Sequence, residues 1–131
     1  MTLAITTELN EARLTGTLAF LDTGTGNAEI RIYGGTRPAT AADAPTSSML
    51  VAVSLAKPAG SVATNGLTLS PASNAQVDHS GDATWARVVN GSGATAFDAD
   101  VSDTNGTGDI KITNVTLWAG GFVALVSAVL R

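Results

Sequence analysis

The stretch Ala83-Thr84-Trp85-Ala86-Arg87-Val88-Val89-Asn90-Gly91-Ser92-Gly93-Ala94-Thr95-Ala96-Phe97-Asp98-Ala99-Asp100-Val101 decides the fold. Ala83 to Val89, built around Trp85, and Thr95 to Val101 read as two strands, and Asn90-Gly91-Ser92-Gly93 is the glycine-rich connection that closes a hairpin between them. Strand alternation turns Phe97, Ala99 and Val101 inward and leaves Asp98 and Asp100 facing water. The chain is therefore mainly β from this point in both directions.

Downstream, Asp103 to Gly108 holds an Asn-Gly turn, and Asp109 to Thr113 alternates around Ile110 and Ile112. Gly120-Gly121 precedes a last strand, Phe122 to Leu130, that is apolar on both parities, as in a strand covered on both faces. Upstream, Gly66 to Pro71 is a short strand and Asp78 to Asp82 a turn. Ser48 to Ala56 alternates with Met49, Val51, Val53 and Leu55 on one side, and Lys57-Pro58-Ala59-Gly60 closes it. Glu29 to Tyr33 places Ile30 and Ile32 on the core face. Thr36 to Ser48, with Pro38 and Pro45, has neither period and reads as a long loop of a length that is usually functional or packs on a neighbour.

Only the N-terminal part differs. Thr6 to Leu21 is free of proline, Thr6 or Thr7 can cap its first turn, and Asp22-Thr23-Gly24-Thr25-Gly26-Asn27 stops it, so a helix over about 5–22 is predicted. Its apolar residues fall on two faces, Ile5, Leu9, Ala12, Gly16 and Phe20 against Leu14, Leu18 and Leu21, as in a helix whose second half is sandwiched either within the fold or between the fold and a partner subunit. With no internal repeat, the 131 residues read as one domain. The expectation is an antiparallel β-sandwich or jelly-roll-like fold of about seven to eight strands over about 28–131, preceded by one α-helix.

Composition limits the chemistry. Charged residues are 14% of the chain, against roughly 25% in an ordinary domain, and the formal net charge is −4. Without Lys/Arg clusters, nucleic-acid binding is not expected. Zero cysteines exclude disulfides, thiolate metal sites and cysteine nucleophiles. No apolar run approaches the ~18 residues of a membrane span, and Met1 to Arg13 lacks the basic start and apolar core of a secretory leader.

Asp98, Asp100, Asp103 and Asp109, with Asn105, form the one carboxylate cluster and the one candidate Ca²⁺ site, but their spacing does not fit an EF-hand loop. Strand alternation and turn chemistry account for them as well, and no resident metal is expected. His79, the only histidine, sits in a turn beside Ser80, too near in sequence to be paired with it as base and nucleophile. Gly24-Thr25-Gly26 and Gly106-Thr107-Gly108 lead into strands, so no helix N-terminus stands ready for a phosphate. No catalytic set or cofactor motif is assembled, and the chain reads as a non-enzyme without cofactors. Trp118, placed before Gly120-Gly121, suits a half-buried rim position.

Ile30-Arg31-Ile32-Tyr33-Gly34-Gly35-Thr36-Arg37-Pro38-Ala39-Thr40 follows the helix; Ala83 to Asn90, Asp98-Ala99-Asp100-Val101 and Gly120-Gly121-Phe122-Val123 come after it. Together these stretches resemble small structural proteins of tailed bacteriophages and prophages, over nearly the whole chain. The resemblance implies a virion component, made in the bacterial cytoplasm. Within that class the resemblance implies a head decoration or cement protein that binds the major capsid protein lattice as a homo-oligomer, a dimer or trimer. A tail or neck component is the neighbouring alternative, and a carbohydrate- or receptor-binding module on a tail appendage is the rival from another class. The residues expected at interfaces are Leu14, Leu18 and Leu21 of the helix, Arg37, Pro38 and Pro45 of the long loop, and Trp118, Phe122, Leu125 and Leu130 near the C-terminus.

Overall fold

The structure, a computed structural model, describes residues 4–131. The helix forms where the sequence places it, as α1 (Thr7–Leu21). Thr6 is its N-cap and accepts from the Leu9 N–H at 3.2 Å through Oγ1, and Glu8 lies in the positive first turn. Ile5 precedes this cap and is not on the helix.

Eleven strands follow: β1 (Glu29–Tyr33), β2 (Met49–Ala63), β3 (Gly66–Pro71), β4 (Ala75–Gln76), β5 (Gly81–Asp82), β6 (Trp85–Val89), β7 (Thr95–Ser102), β8 (Ile110–Ile112), β9 (Thr116–Leu117), β10 (Phe122–Val123) and β11 (Leu125–Leu130). Seven of them form a closed barrel in the order β1-β2-β3-β11-β8-β7-β6, with β6 pairing back onto β1. This overturns the expected sandwich or jelly roll. Each of these strands is hydrogen-bonded on both sides, and closure removes the free edges that two stacked sheets would have. Alternation marks one buried face in either architecture, and only the pairing of β1 with β6 separates them.

Two cross-strand rows fill the interior. Val53, Ile30, Val88 and Phe97 are opposed in succession on β2, β1, β6 and β7, and Val51, Ile32, Ala86 and Ala99 form the next row. All but Phe97 are buried. Leu14 and Leu21 are buried at one mouth and Leu18 packs on the same cluster, so this stripe of α1 is a stopper at that mouth. The opposite mouth is closed by two small sheets, β4 with β10 and β5 with β9, which bury Val77, Leu117 and Val123.

Three local readings change. Lys57-Pro58-Ala59-Gly60 does not end a strand; β2 runs through it to Ala63, with a bulge between Leu55 and Gly60 that spares Pro58 a ladder hydrogen bond. The bulge is tied to the helix C-terminus, because the Ala59 N–H donates to Asp22 Oδ1 at 2.9 Å and Lys57 Nζ donates to Gly24 O at 2.8 Å. Phe122 to Leu130 is not one strand but β10 and β11, which belong to different sheets. Finally, β7 and β8 are parallel, paired only at Val101 with Ile110 and Ser102 with Lys111. So short a parallel return needs a tightly folded loop, and Gly108 supplies it. A Cβ there would lie 2.7 Å from Ser102 N and 2.8 Å from Asp100 O.

Candidate functional site

At the mouth away from the helix, the turn after β9 carries Trp118 and β10 begins with Phe122. Gly120, at φ +88, lets the chain reverse between them, and the Gly121 N–H donates to Trp118 O at 2.9 Å. Because β10 is only two residues long and pairs with β4, alternation that buries Val123 leaves Phe122 outside. Trp118 and Phe122 are each 71% exposed, so the half-buried position expected for Trp118 is not what the fold gives it. The two rings border one cleft, whose floor includes Val77 and Leu117 and whose rim includes Thr113 and Asn114. The other side of Trp118 borders a second depression with Ser80 and Asp82. An exposed aromatic pair over a polar rim suits either an apolar partner surface or a stacked ligand.

A second arrangement lies on the outer wall of β1, β6 and β7. Tyr33 and Trp85 are directly opposed on β1 and β6 and stack at 4.5 Å between centroids. Arg87 lies 5.6 Å from the Trp85 ring and forms a forked pair with Asp98, Nε to Oδ1 at 2.7 Å and Nη2 to Oδ2 at 2.9 Å. Asp98 does not face water as alternation suggested; its side chain is 5% exposed. The loop after β1 returns over this wall. Residues 37–41 lie beside Ala96, Phe97 and Asp98, and Arg37 reaches Asp100 at 3.4 Å. The Arg87 guanidinium is held above its ordinary pKa by the hydrogen bonds it donates to Asp98, with burial opposing and Asp98, Tyr33 and Asp43 adding charge attraction. This cluster fastens the long loop to the barrel. It was legible in part: Arg87 and Asp98 stand on either side of the hairpin turn at facing positions, and that register is the signal for a pair.

The remaining predicted residues disperse. Leu14 and Leu21 are core and Leu18 packs on it, which leaves Leu9 and Phe20, 50% and 41% exposed, as the outward apolar face of α1. Pro38 and Pro45 are half-buried in the loop, Leu125 and Leu130 are half-buried on β11. The aspartates do not gather into an oxygen cage. Asp98 is engaged by Arg87, Asp100 by Arg37, and Asp103 Oδ1 accepts from the Asn105 N–H at 3.0 Å. Among the described residues no three His, Asp or Glu side chains come together in a metal-holding group. His79 is exposed, with Nδ1 3.0 Å from Met49 O. No helix of the described residues is long and apolar enough to cross a membrane.

Compared with protein-family models, curated protein sequences and solved structures, the chain matches none.

Proposed function

We propose that the protein is a non-enzymatic structural component of a tailed-phage particle, a head decoration or cement protein that binds the major capsid protein lattice as a homo-oligomer. The observation that carries this reading is the pair Trp118 and Phe122, each 71% exposed at one mouth of the barrel. Two large aromatic side chains left in water beside each other on a low-charge surface favour burial against another protein, and aromatic residues dominate binding energy at interface centres. Leu9 and Phe20 at the opposite mouth supply a second apolar surface, so one copy has contacts to offer at both ends. Many copies joined to each other and to a lattice bind through multivalency, with modest strength at each contact.

The test is binding of purified protein to phage heads stripped of decoration, read by co-sedimentation and electron microscopy. Saturable, regularly spaced density on the head surface, lost with Trp118→Ala/Phe122→Ala, supports the reading. Protein that stays in the supernatant overturns it. The polar rim of Thr113 and Asn114 beside the two rings favours one second reading, a glycan-binding module on a tail appendage. Glycan-array binding that depends on Trp118, together with failure to bind heads, would replace the first reading with the second.

A further inference from the structure

Three Asn-Gly dipeptides stand in the chain, Asn65-Gly66, Asn90-Gly91 and Asn105-Gly106. Glycine has no side chain to shield its backbone nitrogen, so in such a pair that nitrogen can reach the asparagine carboxamide. The fold treats the three differently. Asn90 is 4% exposed, and its Oδ1 accepts from the Ser92 and Ala94 N–H groups, both at 2.9 Å; Gly91 packs against Gly26 O with no room for a Cβ. Asn65 is exposed but held. Its Oδ1 accepts from Asn10 Nδ2 at 2.6 Å, its N–H donates to Glu11 Oε2 at 3.0 Å, and Gly66 is buried at the start of β3, opposed to Ala63. Asn105 is exposed on the loop that returns β7 to β8. Its turn is held by backbone amides, Asn105 N–H donating to Asp103 Oδ1 at 3.0 Å and Gly106 N–H to Asp103 O at 3.2 Å, and these bonds leave the carboxamide facing solvent.

We propose that Asn105 is a self-modification site, which the folded protein converts to aspartate and isoaspartate with water as the only co-reactant. The Gly106 nitrogen gives up its proton and bonds to Asn105 Cγ; the Cγ–Nδ2 bond breaks, and ammonia leaves with a proton. Water then opens the cyclic imide. Addition at Cγ restores the ordinary backbone as aspartate, and addition at the main-chain carbonyl carbon leaves the chain running through the side chain as isoaspartate. The Lys111 ammonium favours loss of the Gly106 proton, because it donates to Gly106 O at 2.7 Å and to Gly108 O at 3.1 Å and so lies beside the nitrogen that becomes anionic. The Asp103 carboxylate is the opposing charge on the turn. Isoaspartate lengthens the backbone inside a loop that has no slack: Ser102 Oγ donates to Asp103 O at 2.9 Å and accepts the Gly108 N–H at 3.0 Å, and both glycines approach Ser102 too closely for a Cβ. The parallel β7–β8 pairing beyond it, Val101 with Ile110 and Ser102 with Lys111, therefore loosens. The site rests on the fold alone and not on the virion role.

The test is ageing of the purified protein in mildly alkaline buffer, folded and in urea, followed by tryptic mapping. Fragment-ion spectra separate Asn90 from Asn105, which share the peptide from Val88 to Lys111. In urea the three sites are expected to convert at similar rates. In the folded protein Asn105 is expected to convert at least about tenfold faster than Asn65 and Asn90, whose reaction waits on local opening. Asn105 that stays intact, folded-state rates that match those in urea at all three sites, or an acid product without isoaspartate overturns the proposal. Asn105→Asp carries the same added charge on an ordinary backbone and is the control for the loop. Amide exchange at Ile110 to Ile112 is expected to speed up in the isoaspartate form and not in Asn105→Asp; equal exchange in the two overturns the loosening of β8.

Discussion

Arg87 and Asp98 face each other across β6 and β7 and form a forked ion pair, 2.7 and 2.9 Å, on the outside of a barrel yet under cover, with side chains 7% and 5% exposed. A charge placed there depends on its partner. Asp98→Ala is expected to destabilise the protein by about 3–5 kcal/mol, because it strands a buried guanidinium. Replacing both residues, as Arg87→Met/Asp98→Ala, is expected to cost less than Asp98→Ala or Arg87→Met alone. Urea unfolding of these three variants checks the cycle.

The pH dependence of this pair follows from the raised pKa of Arg87. A folded-state value above the unfolded one stabilises wherever the unfolded group is still protonated, and the contribution is lost only as pH rises through the folded value, in strong alkali. Between neutral pH and pH 10, Arg87→Met should therefore leave the pH profile of unfolding parallel to that of the wild type. A change of slope in that window would show that another group titrates with the pair.

The two tryptophans report on different surfaces. Trp85 is 1% exposed, stacked on Tyr33, and donates from Nε1 to Gly34 O at 3.2 Å, whereas Trp118 is 71% exposed. Trp118→Phe should leave blue-shifted emission that acrylamide quenches poorly, with stability within about 0.5 kcal/mol of wild type. Trp85→Ala should cost about 3–5 kcal/mol, read by chemical denaturation.

Two glycines should respond in opposite directions. Gly16 lies inside α1 with open space around it, so Gly16→Ala is expected to stabilise by about 0.5–1 kcal/mol. Gly108→Ala would drive a Cβ into backbone at Ser102 and Asp100 and force the β7–β8 return apart. Its thermal midpoint should fall, and amide exchange of Ile110 to Ile112 should speed up.

Asp22 links two elements that are far apart in sequence, as C-cap of α1 and acceptor for the bulge amide of Ala59. Asp22→Ala leaves that part-buried N–H without its acceptor and is expected to cost about 1–3 kcal/mol. Thermal unfolding monitored by far-UV circular dichroism checks it.

Sequence alone determined what depends on neighbours along the chain. A cap at Thr6 or Thr7, the alternation of Glu29–Tyr33, a short strand at Gly66–Pro71 and the Asn90-Gly91-Ser92-Gly93 hairpin are all read from local dihedral preference and side-chain period, and the structure places the cap at Thr6. Tertiary structure decided which of the two helix stripes is core: Leu14 and Leu21 are buried while Leu9 and Phe20 remain in water. It also decided that β1 pairs with β6 to close a barrel, that Asp98 is buried, and that Phe122 and Trp118 project. Those outcomes rest on which strands meet across long separations, and hydrophobic period says that a face is buried without saying against what.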